Sequence, residues 1–144
     1  MKALDTNILV HAFLSNSPIN PAARAEINAL ASGRLGWAIP WPCIHEFFAV
    51  VTNRKLGALP ARAMEAQDQI SAWMSSPSLQ ILSETPAHWQ TLQSLIKSAD
   101  VSGGLIHDAK IAALCLDHGV TEFITLDRDF SRFPQLNVRS LLAP

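Results

Sequence analysis

The chain has 144 residues, 49% of them apolar, which suits one domain with a buried core and leaves no run near the roughly 20 apolar residues of a membrane span. Eleven basic against twelve acidic side chains give a net charge of −1, which argues against a module that grips nucleic acid through a basic excess. Lys2 stands where the apolar stretch of a signal peptide would build, and Cys43 and Cys115 lack metal-ligand spacing, so we expect a cytoplasmic protein with two buried free thiols.

In chain order, residues 2–4 read as a short strand ending at Asp5, followed by helical patterns over 7–14 and the alanine-rich 21–31. A second strand over 36–39 stops at Pro40. Ile44, Phe47, Phe48 and Val51 then follow the i, i+3, i+4, i+7 rule, which predicts a helix over 41–52 with Pro42 in its first turn. A helix over 60–74, a strand near 80–82 and helices over 86–98 and 105–117 come next, the last flanked by Gly103-Gly104 and Gly119. Residues 122–126 read as a strand ending at Asp127, and 137–141 as a fifth. The alternation predicts an α/β fold: a single domain over residues 1–144, with a central, mostly parallel sheet flanked by helices. Phe47 and Phe48 are expected in the core, and some of Met64, Trp73 and Met74 in an exposed apolar patch.

Six acids, Glu26, Glu65, Asp68, Glu84, Asp100 and Asp117, lie among polar or turn residues and are expected to be solvated. Four others have odd neighbours. Asp5 and Asp127 each end an apolar strand, and Asp129 follows Asp127 by two residues. Glu46 has Pro42, Cys43, Ala49, Val50 and Asn53 at helical spacing, while Asp108 has Ile111, Ala112 and Cys115. Each has a bland explanation: a helix N-cap for Asp5, a snorkelling acid for Glu46, a first-turn acid for Asp108, a turn for Asp127. Taken together they point to one acidic pocket holding Mg²⁺ or Mn²⁺, hard cations that prefer oxygen ligands. No zinc-type cluster, phosphate-cradling glycine loop or nucleophile elbow competes.

The runs Leu4-Asp5-Thr6-Asn7, Ile106-His107-Asp108-Ala109 and Thr125-Leu126-Asp127-Arg128-Asp129-Phe130, with Glu46 between the first two, resemble the PIN-domain ribonucleases. Size and the closing Phe133-Pro134 look most like the VapC toxins of bacterial toxin–antitoxin pairs. The resemblance covers nearly the whole chain. It implies a Mg²⁺- or Mn²⁺-dependent endoribonuclease in which Asp5, Glu46, Asp108 and Asp127 form the catalytic, metal-holding set. Asp129 matches an additional acid, and Thr6, Asn7 and Thr125 match small polar residues that orient the acids or the water. Arg128, Arg132 and Lys110 are placed to hold neighbouring phosphates. The resemblance also implies a homodimer, a VapB-like antitoxin, and an RNA substrate from the translation machinery, transfer RNA above all. Two other readings remain open on the residues alone: a different metal-dependent phosphate hydrolase or DNA nuclease, and a non-catalytic interaction domain whose acids are caps.

Overall fold

The expected strands pair into one sheet in a computed structural model of the chain, which describes residues 1–55 and 60–142. They are β1 (Lys2–Leu4), β2 (Trp37–Pro40), β3 (Leu79–Leu82), β4 (Glu122–Thr125) and β5 (Val138–Ser140). The order is β3-β2-β1-β4-β5, and every neighbouring pair is parallel. Parallel neighbours need long crossovers, and helices supply most of them. These are α1 (Thr6–Phe13), α2 (Asn20–Ser32), α3 (Trp41–Val51), α4 (Ala63–Met74), α5 (His88–Ala99) and α6 (Leu105–Asp117). The connection from β4 to β5 is instead a 3₁₀ turn, Arg128–Arg132, where the sequence suggests only an acidic turn.

Two helices start later than expected, each for a local reason. The Ala61 amide bonds back to the Val51 carbonyl, holding the chain against the end of α3, so α4 begins only at Ala63 with Glu65 capping the Arg62 amide. The Thr85 hydroxyl accepts from the Ala87 amide, so Pro86 sits in a turn and α5 begins at His88.

The core explains why the strands can be so short. Trp37 in β2 is fully buried, its indole N–H satisfied by the Ser76 hydroxyl at 3.2 Å. Phe47 of α3 stands edge-on between Phe13 of α1 and Trp73 of α4, with ring centroids 5.5 and 4.9 Å away. Phe123, Phe130 and Phe133 form a second row that anchors the 3₁₀ turn beside β4. Phe48 is partly buried against the core. Of the three residues expected to include surface apolars, Met64 and Met74 are exposed and Trp73 is buried.

Two acids depart from their expected solvated state: Glu26 of α2 is largely enclosed and pairs with Arg139 Nη2 at 2.6 Å, and Asp117 is enclosed further. The Asp117 carboxylate, at the end of α6, is buried and accepts from the hydroxyls of Thr85 and Thr91, with His88 Nδ1 4.0 Å away. It ties α6 to α5, a partnership between residues too distant in sequence for local reading.

The sheet order reverses between β1 and β4. To one side the chain winds β1-β2-β3, to the other β4-β5, so the loops leaving the carboxyl ends of β1 and β4 diverge and open a crevice.

Candidate metal centre

The crevice begins with register. Leu4 lies opposite Ile124, and the Asp5 amide donates to the Ile124 carbonyl at 3.0 Å, which carries the β1–β4 pairing one residue further and sets Asp5 abreast of Thr125. Four donors converge on the Asp5 carboxylate. The Thr6 amide (2.8 Å) and the Cys43 thiol (3.7 Å) donate to Oδ1; the Thr125 hydroxyl (2.6 Å) and the Asn7 amide (3.0 Å) donate to Oδ2. Asp5 is therefore both the N-cap of α1 and a wall of the crevice. The cap and the site are one residue.

The small polar residues cross-link the same place. Asn7 Oδ1 accepts from the Leu126 amide at 3.1 Å, which fixes the orientation of the side-chain amide and turns its Nδ2 toward Asp5. The Thr125 hydroxyl accepts from the Asp127 amide at 2.9 Å, and the Thr6 hydroxyl donates to Glu46 Oε2 at 2.9 Å. Asp127 in turn caps the 3₁₀ turn by accepting from the Asp129 amide at 2.9 Å.

Asp5, Glu46, Asp108 and Asp127 line one cleft of about 210 Å³, with Val10, Val50 and Ile111 among its apolar walls. One carboxylate oxygen from each of Asp108, Asp127 and Asp129 lies within 4.8 Å of the others. Burial pushes the Asp5 carboxyl up to about 6, against the opposing hydrogen bonds of Thr125 and Thr6, with the charges of Glu46 and Asp127 adding to the rise. Asp108 also rises to about 6, first from burial, then from the charges of Asp127, Asp5, Asp129 and Glu46. Among the described residues, no lysine or arginine forms an ion pair with any of these five acids. Crowded oxygen donors without a cation fit a hard divalent ion, which would remove the mutual repulsion.

Two of these residues gain detail. Glu46 snorkels clear of its apolar neighbours and is exposed at the rim, steered by Thr6. Arg132 is exposed, and its Nη2 donates to the Ala99 carbonyl at 2.9 Å and so caps the end of α5. Arg128 is exposed and lines a cleft with Asp127, and Lys110 lines another with Glu46 and Asp108. The Cys43 thiol beneath Asp5 was not foreseen as part of the site, although it lies one helical turn before Glu46.

The family model for the PIN domain matches residues 2–136. The chain belongs to the PIN-domain family. A curated relative, Ribonuclease VapC31 of Mycobacterium tuberculosis, is 31% identical over 144 residues, spanning 100% of this chain and 99% of its own. Among solved structures, VapBC2 from Rickettsia felis bound to a promoter DNA fragment superposes with a TM-score of 0.72 at 19% identity, covering 96% of this chain and 97% of the other. VapC20 of Mycobacterium tuberculosis, described as a sarcin-ricin loop cleaving toxin, gives 0.64 at 16% identity, covering 91% and 93%. The PIN fold therefore extends over the described chain, with the acids at its switch point. No helix among the described residues is long and apolar enough to cross a membrane.

Proposed function

We propose that this PIN-domain protein is a Mg²⁺- or Mn²⁺-dependent endoribonuclease, the toxin of a toxin–antitoxin pair, hydrolysing phosphodiester bonds at exposed sites in structured RNA of the translation machinery. The observation that carries the reading is the gathering of five carboxylates around the carboxyl ends of β1 and β4, none of them paired to a lysine or arginine among the described residues. The relative named a ribonuclease and the neighbour described as a sarcin-ricin loop cleaving toxin support the substrate class. Transfer RNA is the target we favour, in the cytoplasm, where both thiols stay reduced.

Asp5, Asp108 and Asp127, with Glu46 or Asp129, would hold the ion. When bound, the ion supplies Lewis acidity and charge neutralisation at the scissile phosphodiester. The protein's own residues do the rest. Thr125 and Asn7 fix Asp5 so that its oxygens need no reorganisation, and Thr6 holds Oε2 of Glu46. Glu46 Oε1, at the open rim, then takes the proton of the attacking water while the water oxygen bonds phosphorus and the bridging oxygen leaves. Arg128 and Lys110 hold flanking phosphates on either side.

The partner we propose is a VapB-like antitoxin, supported by the VapBC neighbour. A second groove of about 430 Å³, lined by Phe13, Ile27 and Trp73 together with Arg24, Asn28 and Gln69, offers a mixed polar and apolar seat for a segment of it. The active form we propose is a homodimer, and a clean monomer by light scattering at micromolar concentration would count against that. The deciding experiment incubates the protein with total cellular RNA and Mg²⁺ or Mn²⁺ and maps the new ends. A few cuts in loops of structured RNA are expected; uniform degradation, cleavage of duplex, or activity in chelator would overturn the reading.

A further inference from the structure

One wall of the acidic cleft is made by α1. Thr6 with Val10 and Asn7 with His11 are i, i+4 pairs, so the four share one face of the helix, and all four line the cleft. No lysine or arginine lines it; Arg128 and Lys110 belong to the adjoining clefts. Its side-chain donors are all committed but one. The four carboxylates, when ionised, only accept. The Thr6 hydroxyl is given to Glu46, and the Asn7 amide to Asp5 and Thr125. His11 is what remains.

His11 is held from behind. Its Nδ1 lies 2.7 Å from the Ser17 hydroxyl. Ser17 is itself fixed in a tight turn, its amide donating to the Leu14 carbonyl and its carbonyl accepting from the Asn20 amide, both at 3.0 Å. The Ser17 hydroxyl already accepts from the Ile19 amide at 3.3 Å, and Nδ1 is the one acceptor for its hydrogen among the described residues. The hydroxyl therefore donates to Nδ1, and the neutral ring carries its proton on Nε2. Nε2 has no protein partner among the described residues and is open to solvent. Nor does any carboxylate oxygen among them come within 4.0 Å of either ring nitrogen. His11 stands six residues beyond Asp5, about 9 Å along α1. It is in the cleft but outside the acidic cluster, a donor without an acceptor.

We propose that His11 donates from Nε2 to a backbone oxygen of the bound RNA, on the α1 side of the scissile phosphate. This rests on the ribonuclease reading above and adds a substrate-binding residue to it. The occupant follows from the chemistry of the cleft. An RNA backbone presents acceptors at its phosphate oxygens and its ribose 2′-hydroxyls. A neutral donor can hold one of them beside carboxylates, whereas a lysine or arginine at this position would pair with the acids and compete with the ion.

The test uses the full chain and a short single-stranded RNA spanning a mapped cut. His11→Phe keeps a flat ring without its nitrogens and should raise KM about two- to tenfold with kcat unchanged, the worth of one neutral hydrogen bond. His11→Gln restores a side-chain N–H and should return KM to within about twofold of the wild type. Ser17→Ala frees the ring and should also raise KM, yet add nothing to His11→Phe, because both act on one contact. A 2′-deoxy sugar or an uncharged methylphosphonate at each nucleotide beside the cut names the acceptor. The modification at the contacted oxygen should cost the wild type the same factor and cost His11→Phe nothing. Mn²⁺ affinity, read from the rise in melting temperature, should be equal in all variants. An unchanged KM in His11→Phe, no rescue by glutamine, full sensitivity of His11→Phe to every modification, or a change confined to Mn²⁺ affinity would overturn the proposal. Fluorescence anisotropy of a single-stranded RNA in chelator separates this contact from the nuclease reading. If the wild type cuts nothing, His11→Phe must still weaken metal-free binding by the same factor, and equal binding sinks the contact.

Discussion

The Thr125 hydroxyl donates to Asp5 Oδ2 over 2.6 Å, joining the last residue of β4 to the residue that ends β1. The same oxygen accepts from the Asp127 amide and the Asn7 side chain, so one hydroxyl holds two acids and their brace. Thr125→Val removes it while keeping the β-branched shape, leaving the Asp127 amide unpaired. We expect a loss of about 1–3 kcal/mol in urea unfolding. Because that hydrogen bond holds the Asp5 carboxyl down, the acid limb of the pH–rate profile should also move to higher pH. Thr125→Ser should restore both; an unmoved profile for the valine variant would refute the role.

Asp5 and Asp108 look interchangeable in sequence, and the structure separates them. Asp108→Asn removes a charge from a crowd of four other acids and should raise the melting temperature of the metal-free protein while abolishing cleavage. Asp5→Asn also abolishes cleavage. Its new NH₂ must face donors on whichever side it turns, because Thr6 and Cys43 donate to one oxygen and Thr125 and Asn7 to the other. We therefore expect Asp5→Asn to melt below Asp108→Asn; the reverse order in calorimetry would contradict this account of the hub.

Both raised carboxyls bind protons more tightly folded than unfolded, so the stability they lend is complete below the ordinary value of 3.8 and is lost as pH rises through about 6. At Asp5 the loss amounts to about 3 kcal/mol. Melting of the metal-free protein should fall between about pH 4 and pH 7. Millimolar Mn²⁺ should restore it at pH 7.5 and do little at pH 5, where protons compete for the same oxygens. Equal stabilisation by Mn²⁺ at both pH values would exclude a carboxylate site.

Arg128 and Arg132, four residues apart, should behave differently. Arg132→Ala removes a donor from the Ala99 carbonyl and should lower stability by about 0.5–1.5 kcal/mol with kcat/KM unchanged. Arg128→Ala should leave melting alone, raise KM for RNA, and flatten its salt dependence by roughly one phosphate contact. Steady-state kinetics at several salt concentrations, read against melting curves, checks both.

What could be read from the sequence was what repeats locally. Asp5 and Asp127 stood out because each ends an apolar strand, and α3 because Ile44, Phe47 and Val51 mark its buried face. For Glu46, apolar neighbours at helical spacing left enclosure and snorkelling both open, because which face of α3 meets solvent depends on where α1 and α4 pack. Asp117 was illegible for the same reason. Its partners, Thr85 just before α5 and Thr91 within it, lie 32 and 26 residues away in sequence, and no spacing rule links them. The Arg132 cap on Ala99 and the Cys43 thiol beneath Asp5 are likewise tertiary facts.

The order β3-β2-β1-β4-β5 puts the first strand to be synthesised at the centre and beside one of the last. A chain still emerging from the ribosome can bring Asp5 and Glu46 together through α1 and α3, but it lacks β4, and with it Thr125 and Asp127. The half-made protein has neither the partner strand that sets Asp5 abreast of Thr125 nor the acid that follows it. On the proposed ribonuclease reading, a cell making this protein is therefore shielded from it for the length of each round of translation. The cutting centre closes only when nearly the whole chain is out, which is also when a partner can first meet a finished surface.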